Sequence, residues 1–291
     1  IDSLRGGLVE AGVFAMAAAL MGAPENEVKS LALTIVATLA GPRDAWKDAA
    51  RAAGCVPLCA RLVRSKHLSV RLEAAAAVRS LAANVENKRM LVEEGALHGL
   101  RDMLDLQLPE AKKRASEAIY RLSNNQANGL DLYRAGALRP IVGLLSSQQP
   151  ADRALKPRAA DTIGRVAQIH AWDARPEAVH VGAVPALGGA LDELASDSDG
   201  RGRVAKALKL LSRHDQLDGH AVHAAGSTVT VDARQGLVPP DPVAQGARAA
   251  MSAHGVRAKL ATIVDASRDP ELLKQSSLAL RNIDNLDIEG G

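Results

Sequence analysis

Aromatic side chains are nearly missing from this 291-residue sequence: one Phe, two Trp and two Tyr make up 2% of it. Single-stranded nucleic acids are bound by stacking bases on aromatic platforms, and there is little material for that here. The large aromatic anchors that dominate many protein interfaces are equally scarce, so a partner has to be held by many modest contacts. Cysteine is limited to Cys55 and Cys59. They sit four apart on one expected helix, a placement poorly suited to a mutual disulfide, and read as small buried hydrophobes in a reducing compartment. No apolar run reaches the roughly 20 residues of a membrane helix. The richest stretch, 8–21, is short and interrupted, so no membrane insertion is expected. Charge of one sign is also lacking, with 36 basic against 33 acidic residues and a net charge of +3. That balance disfavours a nucleic-acid partner, which calls for a concentrated basic face.

Catalytic patterns are absent as well. There is no phosphate-cradling glycine loop and no nucleophile elbow; Gly6 and Gly7 precede a helix without the wider pattern. His214, His220 and His223 lie near Asp215 and Asp218, but their spacing matches no metal motif and no cysteine is adjacent. Asp197, Asp199 and Gly200 lack the alternating ligands and terminal glutamate of a calcium loop. Eight histidines offer no preferred Ser-His-Asp assembly. The expectation is a protein without enzymatic activity, cofactor, metal or small-molecule substrate.

What the sequence does contain is a clock. A helix-opening phrase built on glycine recurs at Gly12, Gly54, Gly95, Gly136 and Gly182, at intervals of 42, 41, 41 and 46 residues. A second phrase, small-apolar-x-x-apolar-small, keeps nearly the same time. Its large apolar positions are Leu39, Leu81, Leu122, Val166, Leu211 and Ile283, spaced by 42, 41, 44, 45 and 72 residues. Periods above ~40 residues, helical throughout, indicate a stack of helical units that share one continuous core.

Ordinary signals divide each unit into two shorter helices and a long third one. In one unit these are a helix over 56–62 with proline near its start, and a long helix over 70–83 capped by Ser69. A short helix over 87–93 and the turn at Glu94 and Gly95 then lead onward. In the next, a helix runs to Leu106, Pro109 opens a long helix to Leu122, and 129–133 is helical. The loops 146–157 and 196–202 lengthen the later intervals. Regularity fails between Leu211 and Ile283. The β-branched, Pro- and Gly-rich residues 225–241 read as an irregular loop insertion in a degenerate unit. Helical pattern resumes over 243–251, Gly255 reopens the phrase before 256–265, and Pro270 starts the last long helix. The reading is one extended domain over 1–291 whose N-terminal unit is partial.

These units resemble armadillo repeats. The family's opening phrase is matched by GCVPL at 54–58, GALHGL at 95–100, GALRPI at 136–141 and GAVPAL at 182–187. Its third-helix phrase is most complete in ALRNI at 279–283, and the resemblance covers residues 1–213 and 243–291. It implies an all-α, right-handed α-α superhelix of six to seven repeats, whose third helices line a concave groove that binds extended peptides or partner proteins. In that family, asparagines near the ends of the third helices hold the bound backbone. Three residues beyond the apolar landmark stand Asn84 and Asn125 in two consecutive units, but Pro42, Ile169, His214 and Leu286 elsewhere. The tryptophan array of nuclear-import adaptors is absent, with Trp46 read in a linker and Trp172 beyond a third helix. Both departures count against a nuclear-localisation-signal receptor.

Helical geometry then names a candidate face. Positions one before and three after each landmark lie four apart and share a side of the helix. They give Ser80 with Asn84, Arg121 with Asn125, Arg165, and Asn282, with Arg79, Lys209 and Arg281 one step round. Asparagine amides can donate to and accept from a peptide backbone, while guanidinium groups read carboxylates. The basic run Lys112, Lys113 and Arg114 reads as surface. Two functional readings follow. The favoured one is a structural subunit of a large eukaryotic assembly, cytoskeletal, ciliary or organellar, and the other is an adaptor for an extended acidic or mixed-charge peptide. In either case the partners are one or more proteins and homo-oligomerisation is not indicated. The expected place is the cytoplasm or cytoskeleton, or an organelle if a targeting segment has been removed.

Overall fold

The computed structural model describes residues 2–41, 43–124, 126–168, 174–212, 222–224, 227–229 and 242–284. Among them are six units of three helices. They are α1 (Asp2–Glu10), α2 (Val13–Met21) and α3 (Asn26–Leu39); α4 (Asp44–Ala52), α5 (Cys55–Leu62) and α6 (Leu68–Leu81); then α7 (Val85–Glu93), α8 (Ala96–Leu104) and α9 (Pro109–Leu122). There follow α10 (Gln126–Arg134), α11 (Leu138–Ser146) and α12 (Lys156–Ala167); α13 (Ala174–His180), α14 (Ala183–Glu193) and α15 (Ser198–Leu211); and finally α16 (Pro242–Ala253), α17 (Val256–Ala266) and α18 (Pro270–Asp284). The opening unit, read from sequence as partial, shows three helices.

The glycine clock has a single physical cause. Gly12, Gly54, Gly95, Gly136, Gly182 and Gly255 all have left-handed backbone, with φ between 65° and 86°. Each ends the first helix of its unit and turns the chain into the second. The amide of Gly95, for example, closes the turn on the carbonyl of Val92 at 2.9 Å. A Cβ would be strained at such a φ even where, as at Gly54, nothing lies within 4 Å. Conformation, not space, demands glycine here.

The second clock is the core. Leu39, Leu81, Leu122, Val166, Leu211 and Ile283 are all buried, and the core they join is built mainly of Ala, Leu, Val and Ile. Small residues let helices approach closely. A Cβ on Gly99 of α8 would come within 2.8 Å of Val63 Cγ1 just beyond α5, and one on Gly164 of α12 within 3.3 Å of Leu210 Cδ1 on α15. The third helices α3, α6, α9, α12, α15 and α18 pack side by side in series, and the shorter helices stack behind them.

Several boundaries differ from the sequence reading. The long helix of the second unit starts at Leu68, so Ser69 lies inside it and does not cap it. Asn84 does not merely end that helix: it caps the next one, accepting from the Asn87 amide at 3.1 Å. Trp46 is not in a linker but buried in α4. Residues 150–155 form a 3-10 turn leading directly into α12, and α15 begins at Ser198. Between α15 and α16 stands an antiparallel pair, β1 (Val222–Ala224) and β2 (Ser227–Val229). Most of the insertion over 225–241 lies outside the described residues. α18 packs directly on α15, so the stack continues across the interruption.

No single described helix is long and apolar enough to cross a membrane. Cys55 and Cys59 are free and buried, and burial pushes the Cys55 thiol up to about 12 and that of Cys59 well above its ordinary value. Both therefore stay protonated at neutral pH, which makes them poor nucleophiles. Alkylation of the native chain at pH 7 should be slow and should become rapid on unfolding in urea; fast native labelling would contradict this burial. Replacing Gly95 by Ala forces a side chain into left-handed backbone and should cost ~1 kcal/mol in urea denaturation.

Candidate concave interface

The third helices present a continuous polar surface. Counting back from each buried landmark, positions eight and five residues earlier fall on one side of the helix, one and two turns before the position immediately preceding the landmark. Side chains at these positions reach across to the neighbouring unit. Arg114 on α9 meets Glu73 on α6 at 3.3 Å, Arg158 on α12 meets Glu117 on α9 at 3.2 Å, and Arg203 on α15 meets Asp161 on α12 at 2.8 Å. Glu73 also accepts from the Thr34 hydroxyl on α3 at 3.2 Å. A ladder of alternating charge thus runs from α3 to α15.

Over α15 this surface opens into a cleft of about 420 Å³, walled by α12 and α18. Its floor is Gly202, Ala207 and Leu210, and its rim carries Arg165, Arg203, Lys206, Asp161, Asp199 and Asp269. Arg203 also bonds Asp199 at 2.9 Å. Burial alone would lower the Arg203 pKa, but Asp161 and Asp199 outweigh it and raise it. Asp269 accepts from the Ser198 hydroxyl and from the amides of Leu272 and Glu271, capping α18; the Ser198 bond, then these amides, hold its carboxyl below the usual range. Both signs of fixed charge therefore line the cleft. Asp197 caps α15 by accepting from the Gly200 amide, and among the described residues no group of three or more His, Cys, Asp or Glu could hold a metal ion. Of the histidine cluster, His214, His220, Asp215 and Asp218 lie outside the described residues, and the side chain of His223 is not described.

Several sequence-selected residues make contacts within the chain. The Ser80 hydroxyl donates to the Ala37 carbonyl at 2.8 Å, Arg165 to the Tyr120 carbonyl at 2.8 Å, and the Asn282 amide to the Lys209 carbonyl at 3.2 Å. In each case the residue just before one landmark straps the carbonyl two before the preceding landmark. Arg165 also bonds the Ser123 hydroxyl and stacks 4.2 Å above the Tyr120 ring. Asn84 is engaged by Arg51 at 3.3 Å and donates to Asp48 at 3.2 Å. Arg121 and Arg281 are exposed in the last turns of α9 and α18, and Lys209 is half-buried on α15. Asn125, Pro42, Ile169, His214, Leu286 and Trp172 lie outside the described residues.

The cleft residues Asp161, Arg203 and Lys206 were missed because only the ends of the third helices were followed. Stepping the same face back by four and then three or four residues reaches all of them. The basic run also divides: Lys113 is exposed, but Lys112 is buried against Asp152 at 2.9 Å, and one unit later the buried Lys156 bonds Glu193 in the same manner.

The geometry defines the class, an all-α solenoid of three-helix units with a groove along its third helices. Residues 47–83 match the family model described as Armadillo/beta-catenin-like repeat. Comparison with curated proteins finds no match. Among solved structures, an engineered protein is similar with a TM-score of 0.74 at 22% identity, covering 94% of this chain and 96% of that one. A designed armadillo repeat protein is similar with a TM-score of 0.73 at 20% identity over 93% and 99% of the two chains. Another, solved in complex with the peptide (KR)4, gives 0.72 at 19% identity over 93% and 99%. The fold is that of an armadillo-like solenoid, and residues 47–83 carry that family's repeat.

The buried Lys112–Asp152 pair supplies a test of how the units are tied. Removing one partner strands a buried charge, so Asp152→Ala should cost ~3–5 kcal/mol in chemical denaturation. Replacing both, as Lys112→Met with Asp152→Leu, should recover most of that loss.

Proposed function

We propose that this chain is a non-enzymatic protein–protein interaction scaffold that engages an extended segment of a partner along the concave face of its third helices. The observation that carries the reading is the solvent-open cleft over α15, whose small-residue floor leaves room for a chain and whose rim offers Arg203, Lys206 and Asp161. A backbone can lie on Gly202 and Ala207 while its side chains meet charges of either sign. The designed armadillo protein solved with (KR)4 supports the idea that this fold can receive an extended peptide. Mixed charge at the rim favours a mixed-charge or acidic segment.

A second reading has its own observation. Leu4, Leu8, Met16 and Leu31 are large apolar residues left exposed in the first unit. Exposed apolar faces favour association, which fits a subunit fixed in a larger assembly such as a cytoskeletal, ciliary or organellar complex.

Peptide display against the immobilised chain separates the two. Peptides selected for binding should lose at least ~10-fold in affinity to Arg203→Glu combined with Lys206→Glu, since each contributes a charge-assisted contact. Selected peptides indifferent to that double substitution, but lost on Leu4→Glu with Leu8→Glu, would move recognition to the first unit.

A further inference from the structure

The large apolar residues exposed in the first unit are not scattered. Each occupies a register that later units use to meet the unit before them. Leu4 stands eight residues before the left-handed glycine of its unit, and is 72% exposed. The same place holds Trp46, Asn87, Ala174 and Ala247 in later units, all of them buried. Asn87 shows what covers this place: its amide donates to the Lys47 carbonyl, in the first helix of the preceding unit, at 3.2 Å. Leu8, four before the glycine, corresponds to Leu91, Leu132 and Met251, which are fully buried.

The second and third helices repeat the observation. Met16 stands four residues after its glycine. In that register a Cβ on Gly99 would come within 2.8 Å of Val63 in the unit before, and Lys259 bonds the Gly188 carbonyl of α14 at 3.0 Å. Leu31 on α3, 66% exposed, lies eight before its buried landmark. From that position Glu73, Arg158 and Arg203 reach back to Thr34, Glu117 and Asp161, each five before the landmark of the preceding unit. Terminal units of solenoids need a polar outer face for solubility. The first unit instead presents a bare apolar face, continuous in register with the interfaces between units.

The other end of the chain supplies a match. Among the described residues the ladder has two open ends, Leu31 on α3 and, five before Ile283, Leu278 on α18. The bonded internal pairs are polar, but these two ends are both leucine, and Leu278 is only half-buried. The strap register agrees. Ser80, Arg165 and Asn282 bond a carbonyl of the preceding third helix, and in the first unit an exposed Thr38 holds that place with a hydroxyl to donate. Charge points the same way. Residues 2–39 carry four acids against two bases, whereas 242–284 carry six bases against four acids. Opposite charge favours first unit on last over first unit on first.

We infer that the first unit is a docking face for the last unit of a second copy of this chain. The copies stack head to tail, so that Leu278 of one copy meets Leu31 of the next and the superhelix runs on across the junction. The inference rests on the assembly reading above and names its partner. Such a contact joins two different surfaces, so it repeats without closing.

The test is sedimentation velocity of the full chain over a rising concentration series. The average mass should climb past that of a dimer. Leu31→Glu and Leu278→Glu should each weaken association at least ~10-fold. Mixed in equal amounts, the two variants should form a dimer and stop there, because each keeps the surface the other has lost. That recovery also shows that both variants are folded. Three results overturn the stacking: a chain that stays monomeric, association unchanged in either variant, and no recovery on mixing. A dimer joining two first units would give the second of these with Leu278→Glu. The fluorescent probe anilinonaphthalene sulfonate separates this failure from that of the assembly reading. If a monomeric chain binds the probe and Leu4→Glu with Leu8→Glu abolishes that binding, stacking falls and the assembly reading stands. Without such binding both fall.

Discussion

Every unit of this solenoid depends on one residue that can hold a positive φ. The first helix must end and the second must leave at a sharp angle within a single residue, and only left-handed backbone achieves this here. Glycine supplies it six times, with φ between 65° and 86°. Because the turn is the same each time, the third helix of each unit arrives in the same place relative to the last. The core and the groove both inherit that repetition. The buried landmarks fall into register behind the third helices, and the polar positions fall into register in front of them.

Register makes the charge ladder possible. Arg114, Arg158 and Arg203 occupy one position in three successive units, and each finds a carboxylate on the unit before it. A single exposed ion pair of this kind contributes little. Repetition changes its meaning, since the pairs fix one third helix against the next and so set the shape of the surface between them. Ser80, Arg165 and Asn282 add straps from side chain to backbone at the other end of the same helices. The surface that a partner meets is therefore already organised, which lowers the ordering cost of binding.

Much of this was legible in the sequence, and the reasons are physical. The glycines and the apolar landmarks answer to local constraints: a backbone angle in one case, and burial on one helical face in the other. Pro109 and Pro270 open helices because a missing amide costs nothing in a first turn. Helix starts without such a marker were less legible. The helix expected from 70 begins at Leu68, since Ser69 can cap or continue a helix and only the packing of α6 decides. Lys112 could not be told from Lys113, because which of two adjacent lysines faces inward depends on the position of Asp152 some forty residues away.

The sequence by itself determined the unit, its period and the identity of its third helix, because turn conformation and helical burial leave a mark at every repeat. Only the tertiary structure decided which polar residues are spent on holding units together and which remain for a partner. Ser80, Asn84, Arg165 and Asn282 look equivalent to binding residues in sequence, yet each already bonds a neighbouring unit or helix. Lys112 looks like any surface lysine and is buried against Asp152. Such distinctions rest on distances between residues far apart in the chain, and a local pattern carries no information about them.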